Sequence, residues 1–414
     1  MKSNLRLFTN ILLIFCLLFF FLSLPARLNA CTSAIFSGKV TKDGRPVMWK
    51  HRDTGQRNNK LEYYKGEKFA FVALVNSNNN GNSAWGGVNE TGFAIMNTAS
   101  YNLREDQNIT KGSVSLIMFK ALALCSDLSD FEELLKKHNT PLGLETNFGV
   151  IDANGGAAYY EAGDSGWNKL DVNDPKIAPS GFIAHTNFSF TGRYDQGKGY
   201  VRYNTASEII NEAILLNQKI SPEWISSELS RSFRHSLLGI DLKKDLILPN
   251  GFFIDQDFIP RLTSTSAIIV QGVNPGENPL FATMWTILGY PPLGIAIPVM
   301  VSQKIPHYMT GNETSENAII CDMALKIKDE KIFSIVRGNG QNYFNFSNLY
   351  NPCYPGTSEA NPGYMQLIAP VERQLFREFE SFIARCRDKG KIISKELSKI
   401  QDFAFEGYKR ALDH

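Results

Sequence analysis

The feature that most constrains this chain is the passage from an oily leader straight into a cysteine. Lys2 and Arg6 form a basic start, Ile11 to Leu24 (ILLIFCLLFFFLSL) is an apolar run, Pro25 breaks it, and small Ala30 precedes Cys31. That layout reads as a secretory signal over residues 1–30, shorter than the roughly 20 apolar residues of a membrane span. The expected product is exported, to a periplasm or the outside of a cell. From Cys31 the sequence TSAIFSG alternates at once like a half-buried strand. A residue that opens a core strand has little freedom to do anything but sit in a sheet. The competing reading takes LNAC as a lipoprotein cleavage box, with Leu28 and Ala30 fitting and Asn29 fitting poorly. Cys31 would then be a lipid-blocked anchor on a non-catalytic surface-binding protein, and membrane contact would run only through that lipid.

Residues 31–414 are enough for one large domain, which is the organisation expected here. Lys and Arg number 43 against 41 Asp and Glu, so no charge excess points to nucleic acid or an anionic membrane. A homo-oligomer is left open. Cys125, Cys321, Cys353 and Cys386 are scattered without a CxxC pair, and the histidines show no ligand spacing, so neither a metal nor another cofactor is expected. Cys125 closes an apolar helical run (VSLIMFKALALC) and reads as a small packed hydrophobe. Cys321, Cys353 and Cys386 offer a disulfide whose pairing the sequence does not choose.

Strand patterns follow at PVMWKHRD, AFVALV (70–75), GFAIMNTAS (92–100), NFGVIDA with AAYYEAG across a Gly-Gly turn, and GFIAHTNFS (181–189). Further strands fit TSTSAIIVQG, FATMWTILG and GIAIPVMV. Helical stretches cover 113–138, with Ser113 as cap, and 200–230, with a Ser-Pro-Glu start at Ser221. From about residue 362, Leu367, Val371, Leu375, Phe379, Ile383 and Cys386 recur at three-to-four spacing, a long amphipathic helix. Runs of strands and helices without βαβ alternation predict an α+β fold of antiparallel sheets sandwiched by helices.

An N-terminal cysteine carries its own base. Its α-amine, with an ordinary pKa of roughly 7.7–8.0, takes the thiol proton directly or through water. Attack on an amide carbonyl gives a thioester, which water or another amine resolves. A conventional Cys/His protease is the other catalytic option, with His51 the histidine nearest in sequence.

CTSAIFSGKVTKDGRPVMWKHRDT resembles the opening of the N-terminal-nucleophile hydrolases that act on linear amides: choloylglycine hydrolases, penicillin V acylases, and the isopenicillin-N acyltransferase and carcinine hydrolase group. WGGVNETGFAIMN, NFGVIDANGGAAYYEAG, GFIAHTNFSFTGR, YVRYNTASEII and TSTSAIIVQG through TMWTILGYPP continue the likeness over roughly residues 31–300. The resemblance implies a four-layer αββα sandwich and a small-molecule amide substrate, hydrolysed or transacylated. It also implies roles: Cys31 as nucleophile, Asp53 as the carboxylate holding the freed amine and thiol, Asn187 as oxyanion donor, and Arg202 as electrostatic support. Lys50 stands where bile salt hydrolases carry arginine, so a forked guanidinium is missing there and Arg52 is the substitute. Asn97 lies two residues earlier on its strand than the matching asparagine, on the same side at a different height. Trp49, Tyr63, Phe93 and Phe190 are candidates for an apolar acyl pocket.

Overall fold

A computed structural model describes residues 30–79, 81–103, 112–137, 142–245, 251–312, 315–352 and 361–413. The leader up to Asn29 and Cys353 lie outside these residues.

Two antiparallel sheets face one another. The first has the order β10-β1-β2-β11-β12-β13, built from β1 (Ala30–Phe36), β2 (Val47–Asp53), β10 (Phe182–His185), β11 (Ser264–Gln271), β12 (Thr283–Leu288) and β13 (Ile297–Val299). The second runs β3 (Asn59–Tyr64), β4 (Phe71–Asn76), β5 (Gly86–Asn89), β6 (Ala94–Ala99), β7 (Thr146–Ile151), β8 (Ala157–Ala162) and β9 (Trp167–Asp171) in chain order.

The two-residue period of each strand sorts side chains into different layers. On β4, Val72 and Leu74 join the core between the sheets, while Phe71, Ala73 and Val75 join an outer core with α1 (Val114–Leu124) and α2 (Leu128–Lys137). The Ser113 hydroxyl accepts the Leu116 amide at 3.3 Å and caps α1. The sheets approach closely at Gly86 and Gly149, where an added Cβ would lie 2.4 Å from Ile268 and 3.1 Å from Ile35 of the first sheet.

The other outer layer covers the first sheet. It consists of α3 (Tyr200–Leu215), α5 (Tyr364–Asp388) and α6 (Ser394–Leu412), with α4 (Ile319–Ile327) falling between α3 and α5 in the chain. Trp285 on β12 stacks on Phe376 of α5 at 4.2 Å between ring centroids, an arrangement that adds about 1 kcal/mol beyond burial. Tyr408 of α6 donates to the Leu293 carbonyl at 2.7 Å. Arg231 and Glu372, both buried, form a paired-fork ion pair at 2.6 and 2.8 Å that ties α5 to the first sheet's loops. The result is the four-layer αββα sandwich of an α+β protein.

Both helical stretches divide, as the second segment expected from Ser129-Asp130 and the Ser-Pro-Glu start after TASEIINEAILLN imply: Cys125 and Leu216 close the first helix of each pair, and α2 begins at Leu128. Ser221 caps a short turn of helix at Pro222–Trp224. Cys125 is buried, and burial pushes its thiol up to about 12, in keeping with an inert packed side chain. Cys321 and Cys386 are free thiols. Among the described residues no helix is long and apolar enough to cross a membrane, and no group of His, Cys, Asp and Glu is placed to hold a metal ion.

Candidate active site

The site grows out of β1 and β2. Cys31 pairs with Arg52 and Ser33 with Lys50, so these four side chains share one face of the sheet. That face looks toward the second sheet, where the Ser33 hydroxyl meets the Tyr159 hydroxyl at 2.8 Å. Thr32, His51 and Asp53 point the other way, under the helices.

Cys31 is held by its backbone. Its N–H donates to Asn187 Oδ1 at 3.1 Å, and its carbonyl accepts from Arg202 at 2.8 Å. Arg202 also donates to Thr32 Oγ1 and to Asn187 Oδ1, both at 2.8 Å. A buried guanidinium thus links the strand that begins with the cysteine to the loop after β10. Gly199, at φ +79° and packed against Arg202, leaves no room for a side chain there. Burial pulls Arg202 down to about 9, with the Arg261 charge adding to the effect. Asn187 Nδ2 donates to the Ala99 carbonyl at 2.8 Å, which uses one of its two hydrogens.

The side chain of Cys31 borders a cleft of about 330 Å³ whose lining includes Lys50, Arg52, Trp85, Asn97, Val114 and Glu145. The Lys50 ammonium donates to Asn97 Oδ1 at 2.8 Å and to the Trp85 carbonyl at 2.6 Å. Burial lowers Lys50 to about 8, the Cys31 thiolate charge offsets part of that, and Arg52 adds to the lowering. Arg52 lies with its guanidinium carbon 4.8 Å from the centre of the Trp85 ring and donates to Asn59 and Asn76. Burial lowers it to about 10. Both cations therefore face neutral acceptors, and neither forms an ion pair among the described residues.

Asp53 borders the same cleft, yet its carboxylate is spoken for. It accepts from the Ser264 hydroxyl at 2.6 Å and pairs with Arg261. Among the described residues Asp53 makes no hydrogen bond to Cys31, and it stands opposite Ala30 in the strand ladder. His51 also serves this cluster, with Nε2 at 2.8 Å from the Ser264 hydroxyl. It lies on the face away from Cys31, which removes it as the histidine of a Cys/His pair.

None of the aromatic candidates lines this cleft. Trp49 and Phe93 are fully buried in cores, with Trp49 Nε1 donating to Ser230 at 2.8 Å. Tyr63 is exposed at the edge of the second sheet, and Phe190 is half-exposed against His185. The aromatic wall comes from Trp85, in a loop that the strand pattern did not single out. Arg261 and Ser264 were missed for a similar reason: they precede or open β11, and only the fold brings them to Asp53.

Residues 41–236 match the family model described as acyl-coenzyme A:6-aminopenicillanic acid acyl-transferase. The matched span holds Lys50, Arg52, Asp53, Asn97, Asn187 and Arg202, and it starts downstream of Cys31. Solved structures with partial overlap include a Caenorhabditis elegans N-acylethanolamine-hydrolyzing acid amidase ortholog, at 13% identity and TM-score 0.39, covering 58% of this chain and 92% of that one. A mutant conjugated bile acid hydrolase from Clostridium perfringens overlaps at 12% identity and TM-score 0.39, covering 62% and 89%. Penicillin V acylase from Agrobacterium tumefaciens does so at 11% identity and TM-score 0.32, covering 62% and 83%. A search of curated proteins finds no match. Cys31, near the start of the first strand, shares the face of the first sheet that looks toward the gap between the sheets.

Proposed function

We propose that the chain is an exported cysteine amidase, hydrolysing or transacylating linear amides, with Cys31 as its N-terminal nucleophile. The observation that carries this reading is the double grip on Cys31. Asn187 and Arg202 fix both sides of its backbone, while its side chain borders a cleft beside Lys50 and Arg52. A nucleophile fixed in that manner loses little freedom on reaching the transition state.

Removal of residues 1–30 turns the Cys31 amide nitrogen into an amine. That amine accepts the thiol proton, and the thiolate adds to the substrate carbonyl. Negative charge grows on the carbonyl oxygen, and the free hydrogen of Asn187 Nδ2 is the donor available to it, a contribution of about 3–4 kcal/mol in comparable sites. Collapse of the intermediate breaks the C–N bond as the ammonium of Cys31 protonates the leaving amine. The thioester then yields to water, giving an acid, or to an acceptor amine, giving a new amide. Lys50 and Arg52 place positive charge on the cleft that Cys31 borders. Asp53, anchored by Arg261 and Ser264, sets the end of β2 against which the start of β1 is registered.

Mass spectrometry of the mature protein, paired with turnover of an amide panel by wild type and Cys31→Ala, tests this. A free Cys31 amine and an inactive Cys31→Ala variant are expected. A diacylglyceryl mass on Cys31, or full activity in Cys31→Ala, sinks the mechanism.

A further inference from the structure

Asn187 approaches Cys31 from a loop, the segment between β10 and α3, and loops ordinarily place atoms less sharply than strands do. This one is read residue by residue by the second sheet and the loop that follows β6. Asn102, buried, accepts from the Ser189 amide at 2.8 Å and donates to the Ser189 carbonyl at 3.0 Å. Asn147 of β7 donates to the Phe188 carbonyl at 3.0 Å. Glu161 of β8 accepts from the Phe190 amide at 2.5 Å, the Thr191 amide at 2.9 Å and the Thr191 hydroxyl at 2.5 Å.

Glu161 is the unusual member. It is a carboxylate, 1% exposed, spent on backbone and hydroxyl donors with no lysine or arginine paired to it among the described residues. His185 of β10 lies beside it, its Nε2 3.4 Å away without a hydrogen bond. The His185 ring is sandwiched between Tyr159 and Phe190 and shields the carboxylate from water. Burying such a group is costly unless its acceptors are well used. Two adjacent amides converging on one carboxylate fix the loop three residues beyond Asn187.

We propose that Glu161 is a positioning residue: its carboxylate clamps the 190–191 backbone to the second sheet and thereby holds Asn187 at oxyanion distance from Cys31. The inference rests on the reading of Asn187 as oxyanion donor. Glutamine is nearly isosteric, but it presents an NH2 group to donors and can satisfy only one side of the clamp.

The test uses the processed enzyme and an amide that it turns over. Glu161→Gln is expected to lower kcat by at least about tenfold with KM within about twofold, since small misplacement of a catalytic group costs rate and not binding. Backbone amides 188–193 should exchange hydrogen faster, with the unfolding midpoint little moved. Thr191→Val, which removes the hydroxyl's bond to Glu161 and the long one it accepts from Asn168 at an exposed position, should lower kcat about threefold at constant KM. A folded Glu161→Gln with wild-type kcat overturns the clamp; if that variant does not fold, an unchanged kcat in Thr191→Val overturns it equally. Asn187→Ala separates the two levels. If it leaves kcat intact, the oxyanion reading itself fails; if it is crippled while the clamp variants are not, only the clamp falls.

Discussion

Arg202 donates to the carbonyl oxygen of Cys31 at 2.8 Å and, through its other terminal nitrogen, to Asn187 Oδ1 at 2.8 Å. One planar group therefore measures the distance between the proposed nucleophile and the proposed oxyanion donor. Lysine cannot reproduce that fork. Arg202→Lys should cost on the order of 100-fold in kcat/KM, about 3 kcal/mol of transition-state stabilisation. Steady-state kinetics on the folded variant checks this, and a loss below about threefold would show that the fork does not set the geometry.

Lys50 links charge at the cleft to pH. Burial lowers its folded pKa to about 8 from an ordinary 10.5. Below pH 8 it is charged in both folded and unfolded states, so its burial penalty is fully present there. Between 8 and 10.5 the unfolded chain holds the extra proton, and stability from this group rises with pH. Activity should move the opposite way, because loss of the ammonium removes support for the thiolate. The alkaline limb of kcat/KM is expected near pH 8 and should shift upward in Lys50→Arg, whose guanidinium stays charged. Identical pH–rate profiles for the two proteins would dissociate Lys50 from the reaction.

Acid should loosen the fold through its buried histidines. Burial lowers His51 to about 4, against the partial support of Asp53, and lowers His185 to about 3. Both are neutral in the folded state while the unfolded chain protonates them near 6.5. Stability that is fully present above pH 6.5 is thus lost as pH falls toward 4. The slope should approach two protons, about 2.7 kcal/mol per pH unit at its steepest. Denaturant melts from pH 7 to 4 measure it, and His185→Phe should shed about one proton of that slope.

Arg231 and Glu372 test the outer layer. Both side chains are 7% exposed, and the carboxylate also accepts the Ala296 amide at 2.7 Å. Removing one partner strands a buried charge, so Arg231→Met should destabilise by about 3–5 kcal/mol. The double replacement Arg231→Met, Glu372→Met should recover a large part of that loss. Chemical denaturation of the three variants checks it; additive losses would mean that the pair is not coupled.

Strand identity was legible wherever alternation was strong. β2 illustrates both the success and the limit. VMWKHRD reads as a strand ending in charge, and Asp after an apolar strand is ordinarily a solvated turn residue. The fold buries Lys50, His51, Arg52 and Asp53 instead, since β2 lies between β1 and β11 and both its faces are covered. Which of these charges meets which partner depends on residues more than 200 positions away, as with Asp53 and Arg261. Sequence spacing carries no trace of such pairs. Glu161 is a second case: AAYYEAG marks a strand, but only the register of β8 with β7 and the return of the 186–199 loop give that carboxylate its donors. Helix α6, by contrast, was within reach, because Leu397, Ile400, Ala404, Tyr408 and Ala411 keep a helical stripe and are all buried.

The pairing of Ala30 with Asp53 bears on timing. The peptide bond before Cys31 lies inside a strand ladder, with residues on both its sides committed to β2. A peptidase needs its target extended and free to enter its own groove, and a bond stitched into a sheet offers neither. An outside enzyme that releases the Cys31 amine must therefore act while the chain is still emerging, before β1 settles beside β2. In the proposed enzyme cutting therefore precedes folding, so the catalyst would be assembled already armed.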